Sequence, residues 1–155
     1  MVRVGSALEL RDAMHAAAKG ADAVVMAAAV ADFRPDALAE HKIKKDGSEP
    51  PPLRLALNPD ILVELVAARE PGQIVVGFAA ETGDESGDPL HHGRAKLARK
   101  GCDLLVVNAV GDGRAFEVAD NSGWLLGADG TERELGSGSK GLLASRVWDA
   151  VTARL

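Results

Sequence analysis

The chain has 155 residues, 46% apolar and 26% charged, enough apolar side chain to enclose a core and too much for a disordered chain. That length suits one domain. Eighteen basic against 23 acidic side chains leave a net charge of −5, which disfavours nucleic acid and anionic membranes as partners. A single cysteine, Cys102, excludes an internal disulfide framework and any multi-thiolate metal site. No apolar run reaches the ~18 residues of a membrane span, and no basic-then-apolar leader opens the sequence. The expectation is one cytoplasmic domain.

In chain order, Ser6 and Glu9 have capping-box spacing. Leu8, Met14, Ala17 and Ala18 can share one face of a helix over 6–19, stopped by Gly20. Residues 23–29 form an apolar run without alternation, the pattern of a parallel strand covered on both faces. From Val30 to Pro52 that pattern lapses through Asp32, Arg34, Pro35, His41, Lys42, Lys44, Lys45, Gly47 and three consecutive prolines. So long a structureless stretch in a compact domain is either a functional loop or a disordered one. Leu53, Leu55 and Leu57 alternate with Arg54 and Ala56, as in an edge strand.

Asn58, Pro59 and Asp60 read as N-cap, first helical residue and dipole-facing acid of a helix reaching about Arg69. Residues 73–80 form a second buried strand, 81–88 a polar loop, 89–100 a helix closed by Gly101, and 104–108 a third buried strand. Residues 124–126 and 131–135 flank Ala128-Asp129-Gly130 as a β-hairpin. A last helix over 139–154 turns Leu142, Leu143, Val147, Trp148 and Val151 inward. Helices alternating with buried strands give an α/β fold: a three-layer α/β/α sandwich, Rossmann-like, with a mostly parallel sheet and a C-terminal hairpin and helix, as a single domain over 1–155. No strand, Gly-rich turn and helix open the chain, where doubly wound nucleotide folds place their phosphate turn.

Ligands of open α/β sheets gather beyond the carboxyl ends of the strands, here 29–32, 78–82 and 108–112. The small residues before Asp32 leave backbone groups open to a base edge, and the same pattern also serves tight strand–helix packing. Lys42, Lys44 and Lys45 can neutralise a triphosphate as mobile point charges or form a solvated charge run. Lys96 and Lys100 share a helix face beside Arg94 and Arg99, a face suited to phosphates or simply to water. Residues 58–61 can receive an anion at a helix start or serve only as a cap. His15, His91 and His92 have no metal-ligand spacing, and residues 136–140 lack that of a phosphate loop. Cys102 reads as a small core residue. No G-x-G-x-x-G follows a strand, which disfavours a dinucleotide oxidoreductase.

Seven segments in order, 27–35 (AAAVADFRP), 42–45 (KIKK), 58–62 (NPDIL), 76–82 (VGFAAET), 96–100 (KLARK), 107–108 and 116–121, resemble the phosphopantothenoylcysteine synthetase family, the ligase of bacterial coenzyme A biosynthesis. The resemblance implies a CTP-dependent ligase: the carboxylate of 4′-phosphopantothenate attacks CTP to give an acyl-cytidylate and pyrophosphate, and the amine of cysteine displaces CMP. Mg²⁺, with CTP as co-substrate, is the expected cofactor, and no residue is assigned as its ligand. The resemblance also implies a cytidine pocket from Ala27, Ala28, Asp32, Pro59, Asp60, Ile61, Leu62 and Phe78, with Lys42, Lys96 and Lys100 near the phosphates. Lys42 is the expected catalytic residue, polarising the mixed-anhydride carbonyl. Members are homodimers, with the 124–135 hairpin as the expected association element here, and many carry a flavin-dependent decarboxylase domain upstream. The family's Gly-rich unit with an Asn-Ser-Ser-Gly stretch has no match, so the expectation is the C-terminal portion of such a ligase domain. ATP in place of CTP, and a non-catalytic nucleotide-binding or oligomerisation module, are the alternatives.

Overall fold

The computed structural model of the chain describes residues 1–37, 39, 41–44, 49, 52–81, 87–109, 120–121 and 123–155. Their order is α1 (Ala7–Ala18), β1 (Ala23–Met26), β2 (Phe33–Pro35), β3 (Leu55–Leu57), α2 (Ile61–Ala68), β4 (Ile74–Glu81), α3 (Pro89–Lys100), β5 (Leu104–Ala109), β6 (Asp120–Asn121), β7 (Gly123–Gly127), β8 (Glu132–Glu134), β9 (Gly138–Ser139) and α4 (Lys140–Thr152). Five strands form one mixed sheet in the order β1-β4-β5-β7-β8. β1, β4 and β5 run parallel, while β7 and β8 join antiparallel.

Unbroken apolar runs form the central strands because both faces of the sheet are covered. Val24, Met26, Val75, Leu105, Val107 and Leu126 point to one face, against Ile61, Leu62 and Leu65 of α2, Leu10 and Met14 of α1, and Leu97 of α3. Val76, Leu104, Val106 and Leu125 point to the other, against Leu143, Val147, Ala150 and Val151 of α4. Three helices, a sheet and one helix make the three layers. Gly93 of α3 is buried, and a Cβ there would lie 2.6 Å from Val107 Cγ2 and 3.1 Å from Leu126 Cδ1. A hydrogen at this position lets α3 sit down on the sheet.

Several local readings change. Ser6 caps α1 by accepting from the Glu9 amide at 3.2 Å, but the Glu9 carboxylate reaches back to the Gly5 amide at 2.6 Å, one residue further than a capping box. The inward stripe of α1 is Leu10, Met14 and Ala18, while Leu8 and Ala17 are exposed. At ~100° per residue, Leu8 stands almost opposite Leu10. Asp60, not Asn58, is the N-cap of α2, its Oδ1 accepting from the Val63 amide at 3.3 Å. On α4, Leu142 and Trp148 are exposed, and Ala150 takes the inward place. The apolar gap after β1 holds the short strand β2, antiparallel to β3. Gly138 and Ser139 pair with Asn121 and Asp120, and Ser139 also caps α4.

The hairpin forms at its expected turn, with Gly130 at φ 87°. Its outer strand β8 exposes Glu132, Arg133 and Glu134, a charged edge that repels strand addition. Trp124 packs partly into the core. Exposed apolar side chains gather instead on β2 and β3: Phe33, Leu55 and Leu57. Pairing Phe33 with Leu57 and Pro35 with Leu55 puts these on one face of the ribbon.

Two predictions follow from this packing. Gly93→Ala improves helix propensity by about 1 kcal/mol, yet the crowding against Val107 should outweigh that gain. A net loss of about 1–2 kcal/mol in urea unfolding is expected. Asp129 accepts from the Thr131 backbone amide at 2.9 Å and from the Arg154 guanidinium, and hydrogen bonding to Thr131, then Arg154, holds its carboxyl at about 2. Because the folded value is depressed, its contribution is present above the ordinary carboxylate value and fades as pH falls toward 2. Asp129→Asn should therefore be less stable than the parent at pH 7, with the difference shrinking between pH 4 and pH 2.

Candidate functional site

The three parallel strands end together, and the cleft lies where β1 and β4 give way to polar chain. It encloses about 410 Å³ and is walled by Met26 and 28–32 after β1, by 58–62 at the start of α2, by 78–80 of β4, and by Lys96, Arg99 and Lys100 of α3. The floor is apolar because Ile61 and Leu62 also belong to the core. The rim is polar because the chain leaves the sheet there.

Short polar contacts hold the walls together. The Asn58 amide donates to the Asp32 carbonyl at 2.8 Å, and Asn58 Nδ2 donates to the Ala31 carbonyl at 2.8 Å. Arg34 of β2 donates to the Leu57 carbonyl and to Asn58 Oδ1. Asn58 thus ties the loop after β1 to the entry of α2, which is why it does not cap the helix. Lys100 pairs with Asp60 Oδ2, and Lys96 pairs with Glu81. Each cationic side chain of α3 that lines the cleft at 96 and 100 therefore carries a carboxylate partner from the opposite wall or strand.

Nine of the eleven expected nucleotide-binding side chains line this one cleft: Ala28, Asp32, Pro59, Asp60, Ile61, Leu62, Phe78, Lys96 and Lys100. Ala27 and Lys42 are exposed and lie outside its lining. Ile43 and Lys44, next to Lys42, are exposed as well, whereas Lys45, Thr82, 83–86 and 110–119 lie outside the described residues. Arg99, Val30, Ala31 and Asn58, outside the expected nucleotide-binding set but within the segments read as facing a ligand, also join the lining. Arg99 stands three residues from Lys96, so helical spacing alone carried that signal; Asn58 was hidden behind its fitness as a cap. His15, which has no metal partners in sequence, sits 3.3 Å from Glu64 Oε2 in a staple between α1 and α2. There the Arg11 guanidinium, bonded at 2.6 Å, holds the Glu64 carboxyl below its usual value. Cys102 is fully buried, and that burial pushes its thiol up, the opposite of what a nucleophile needs.

Among the described residues no three His, Cys, Asp or Glu side chains converge as a metal site. Magnesium characteristically takes one or two carboxylates together with substrate phosphates, and the cleft fits that pattern. Asp32 is its lining carboxylate outside the two ion pairs. No helix among the described residues is long and apolar enough to cross a membrane.

Over residues 1–155 the chain matches the DNA/pantothenate metabolism flavoprotein C-terminal domain. It is 59% identical over 160 residues to the coenzyme A biosynthesis bifunctional protein CoaBC of Mycolicibacterium smegmatis, covering 100% of this chain and 39% of that protein. To the protein of the same name from Bacillus subtilis it is 41% identical over 136 residues, covering 86% of this chain and 32% of the other. It therefore spans well under half the length of these relatives. A crystal structure of the C-terminal domain of CoaBC superposes with a TM-score of 0.73 at 24% identity, covering 98% of this chain and 66% of that one. A Cab2 variant in complex with phosphopantothenate-cysteine superposes with a TM-score of 0.55 at 22% identity, covering 81% of this chain and 41% of that one. Both likenesses are of fold.

Proposed function

The chain belongs to the DNA/pantothenate metabolism flavoprotein C-terminal domain family, and we propose that it works in coenzyme A biosynthesis as a CTP-dependent ligase joining 4′-phosphopantothenate to cysteine. The observation that carries this reading is the gathering of Asp32, Phe78, Lys96, Lys100 and the start of α2 around one cleft. The names of its relatives, and the phosphopantothenate-cysteine bound to the Cab2 variant, point the same way.

The proposed chemistry has two steps. The substrate carboxylate attacks the α-phosphorus of CTP; a P–O bond forms, the bond to the β-phosphate oxygen breaks, and pyrophosphate leaves. The amine of cysteine then attacks the acyl carbon, the C–O bond breaks, CMP leaves with the electron pair, and the amine proton passes to solvent. Charge accumulates first on the departing pyrophosphate and then on the carbonyl oxygen. Preorganised cations facing those positions lower both barriers, since electrostatic stabilisation is commonly the largest catalytic effect. Lys96, Arg99 and Lys100 stand on one helix for the first role. Lys42, on an exposed segment, takes the second by swinging over the bound anhydride. The open backbone of 28–31 suits the donor and acceptor pattern of a cytosine edge. A magnesium ion, when bound, supplies Lewis-acid charge to the phosphate chain, and Asp32 is the residue that would hold it.

The homodimer implied by the resemblance finds support in the ribbon of β2 and β3. A two-stranded ribbon is marginal without a covered face, and Leu57 is 71% exposed. A second copy laid on Phe33, Leu55 and Leu57 would cover them.

The test uses this chain joined to the family's preceding Gly-rich unit, supplied with CTP, phosphopantothenate and cysteine. Pyrophosphate release is expected only with all three substrates. Lys42→Gln should lower turnover by about 10²-fold while shifting the CTP dissociation constant less than about threefold. Nucleotide binding without turnover in the parent would favour a binding module instead. In sedimentation velocity the parent should run as a dimer and Leu57→Asp as a folded monomer. A parent that is monomeric at tens of micromolar would sink the association.

A further inference from the structure

Lys96 and Lys100 both line the cleft, but their partners differ. Asp60, which holds Lys100, has 46% of its side chain exposed. Glu81, which holds Lys96, has only 15% exposed, and its Oε1 is cut off from solvent. The difference comes from topology. Asp60 caps a helix at the surface, whereas Glu81 ends the central strand β4, opposite Ala109 of β5. Among the described residues the Lys96 ammonium is the cation facing Glu81. Lys96 itself is 28% exposed and reaches the cavity wall. One ammonium thus stands between a buried carboxylate and an open cleft. It has three N–H donors, so it can serve both sides.

A charge shielded from water is little screened, so the field of Glu81 at Lys96 persists when the cleft fills. A phosphate approaching from the cleft meets an ammonium already part-neutralised. We propose that Glu81 is the resident counter-anion of the phosphate end of this cleft. It fixes the Lys96 ammonium at the wall and weakens the grip on a polyphosphate, so that the product anion can leave. Glu81 does not line the cavity. It acts through Lys96 and is a positioning residue. The inference rests on the reading that Lys96 meets phosphate.

Direction separates this role from a structural one: losing a merely structural carboxylate loosens the site, whereas losing a competing anion strengthens it. Inorganic pyrophosphate, titrated calorimetrically at fixed ionic strength into the chain joined to the family's Gly-rich unit, is the probe. Glu81→Gln is expected to bind it about 3- to 10-fold more tightly than the parent and to release it correspondingly more slowly. Lys96→Met should weaken binding. In the Lys96→Met background, Glu81→Gln should change affinity less than about twofold, because the two act as one coupled pair. If Glu81→Gln unfolds the chain, Glu81→Asp, whose shorter carboxylate draws back from Lys96, should still tighten binding about twofold. Unchanged or weaker pyrophosphate binding in a folded Glu81 variant, with Lys96→Met weakened, overturns the inference and leaves the phosphate site standing. A parent that binds no pyrophosphate, or a Lys96→Met that binds like the parent, overturns the phosphate reading and the inference with it.

Discussion

Everything in this molecule is arranged around the parallel pairing of β1, β4 and β5 between two separate apolar cores. Val75, Val76, Leu104, Leu105 and Val107 have no exposed surface, and adjacent residues along a strand serve opposite faces. Each strand is therefore committed at every position, and a one-residue slip would exchange the two cores. That commitment fixes where helices can go. α1, α2 and α3 must cover one face and α4 the other. Since α2 enters β4 and α3 follows it, their ends converge on the carboxyl edge of the sheet, where the strand side chains stop being buried. The cleft is a consequence of that geometry, as is general for open α/β sheets.

Charge in the cleft is arranged in pairs, not as a free positive patch. Lys96 with Glu81 and Lys100 with Asp60 join α3 to β4 and to the start of α2, so the same contacts that close the walls also moderate the field inside them. An unpaired pair of lysines would attract anions more strongly but would repel each other across one helical turn. The acidic balance of the whole chain fits a site in which carboxylates are part of the design. Arg99, which lines the cleft beside these two pairs, is the remaining cation on that helix face.

Much of this is legible in the amino-acid sequence. Unalternated runs at 23–29, 73–80 and 104–108 read as doubly covered strands because a residue type that suits either face is needed at every position. α3 was legible at both ends: Pro89 can start a helix, and Gly101 adopts the left-handed conformation that closes it. The collinear segments, through a family resemblance, pointed to nine side chains that the fold gathers. What was not legible depended on partners distant in sequence. β2 is three residues long and has no pattern of its own; it exists because Leu55–Leu57 offers it a ladder. Asn58 satisfies every local rule for a cap, yet the Ala31 carbonyl and Arg34 claim its side chain, leaving the role to Asp60. Glu81 looked like the start of a polar loop because nothing local to it signals Lys96, fifteen positions on.

The ribbon and the cleft are mechanically one unit. Arg34 lies on the opposite face of β2 from Phe33, so the apolar face can be covered without disturbing the guanidinium behind it. That guanidinium bonds the Leu57 carbonyl and Asn58, and Asn58 in turn holds the carbonyl of Ala31 in the cleft wall. Two hydrogen-bonding side chains, Arg34 and Asn58, therefore join the ribbon to the cleft's rim.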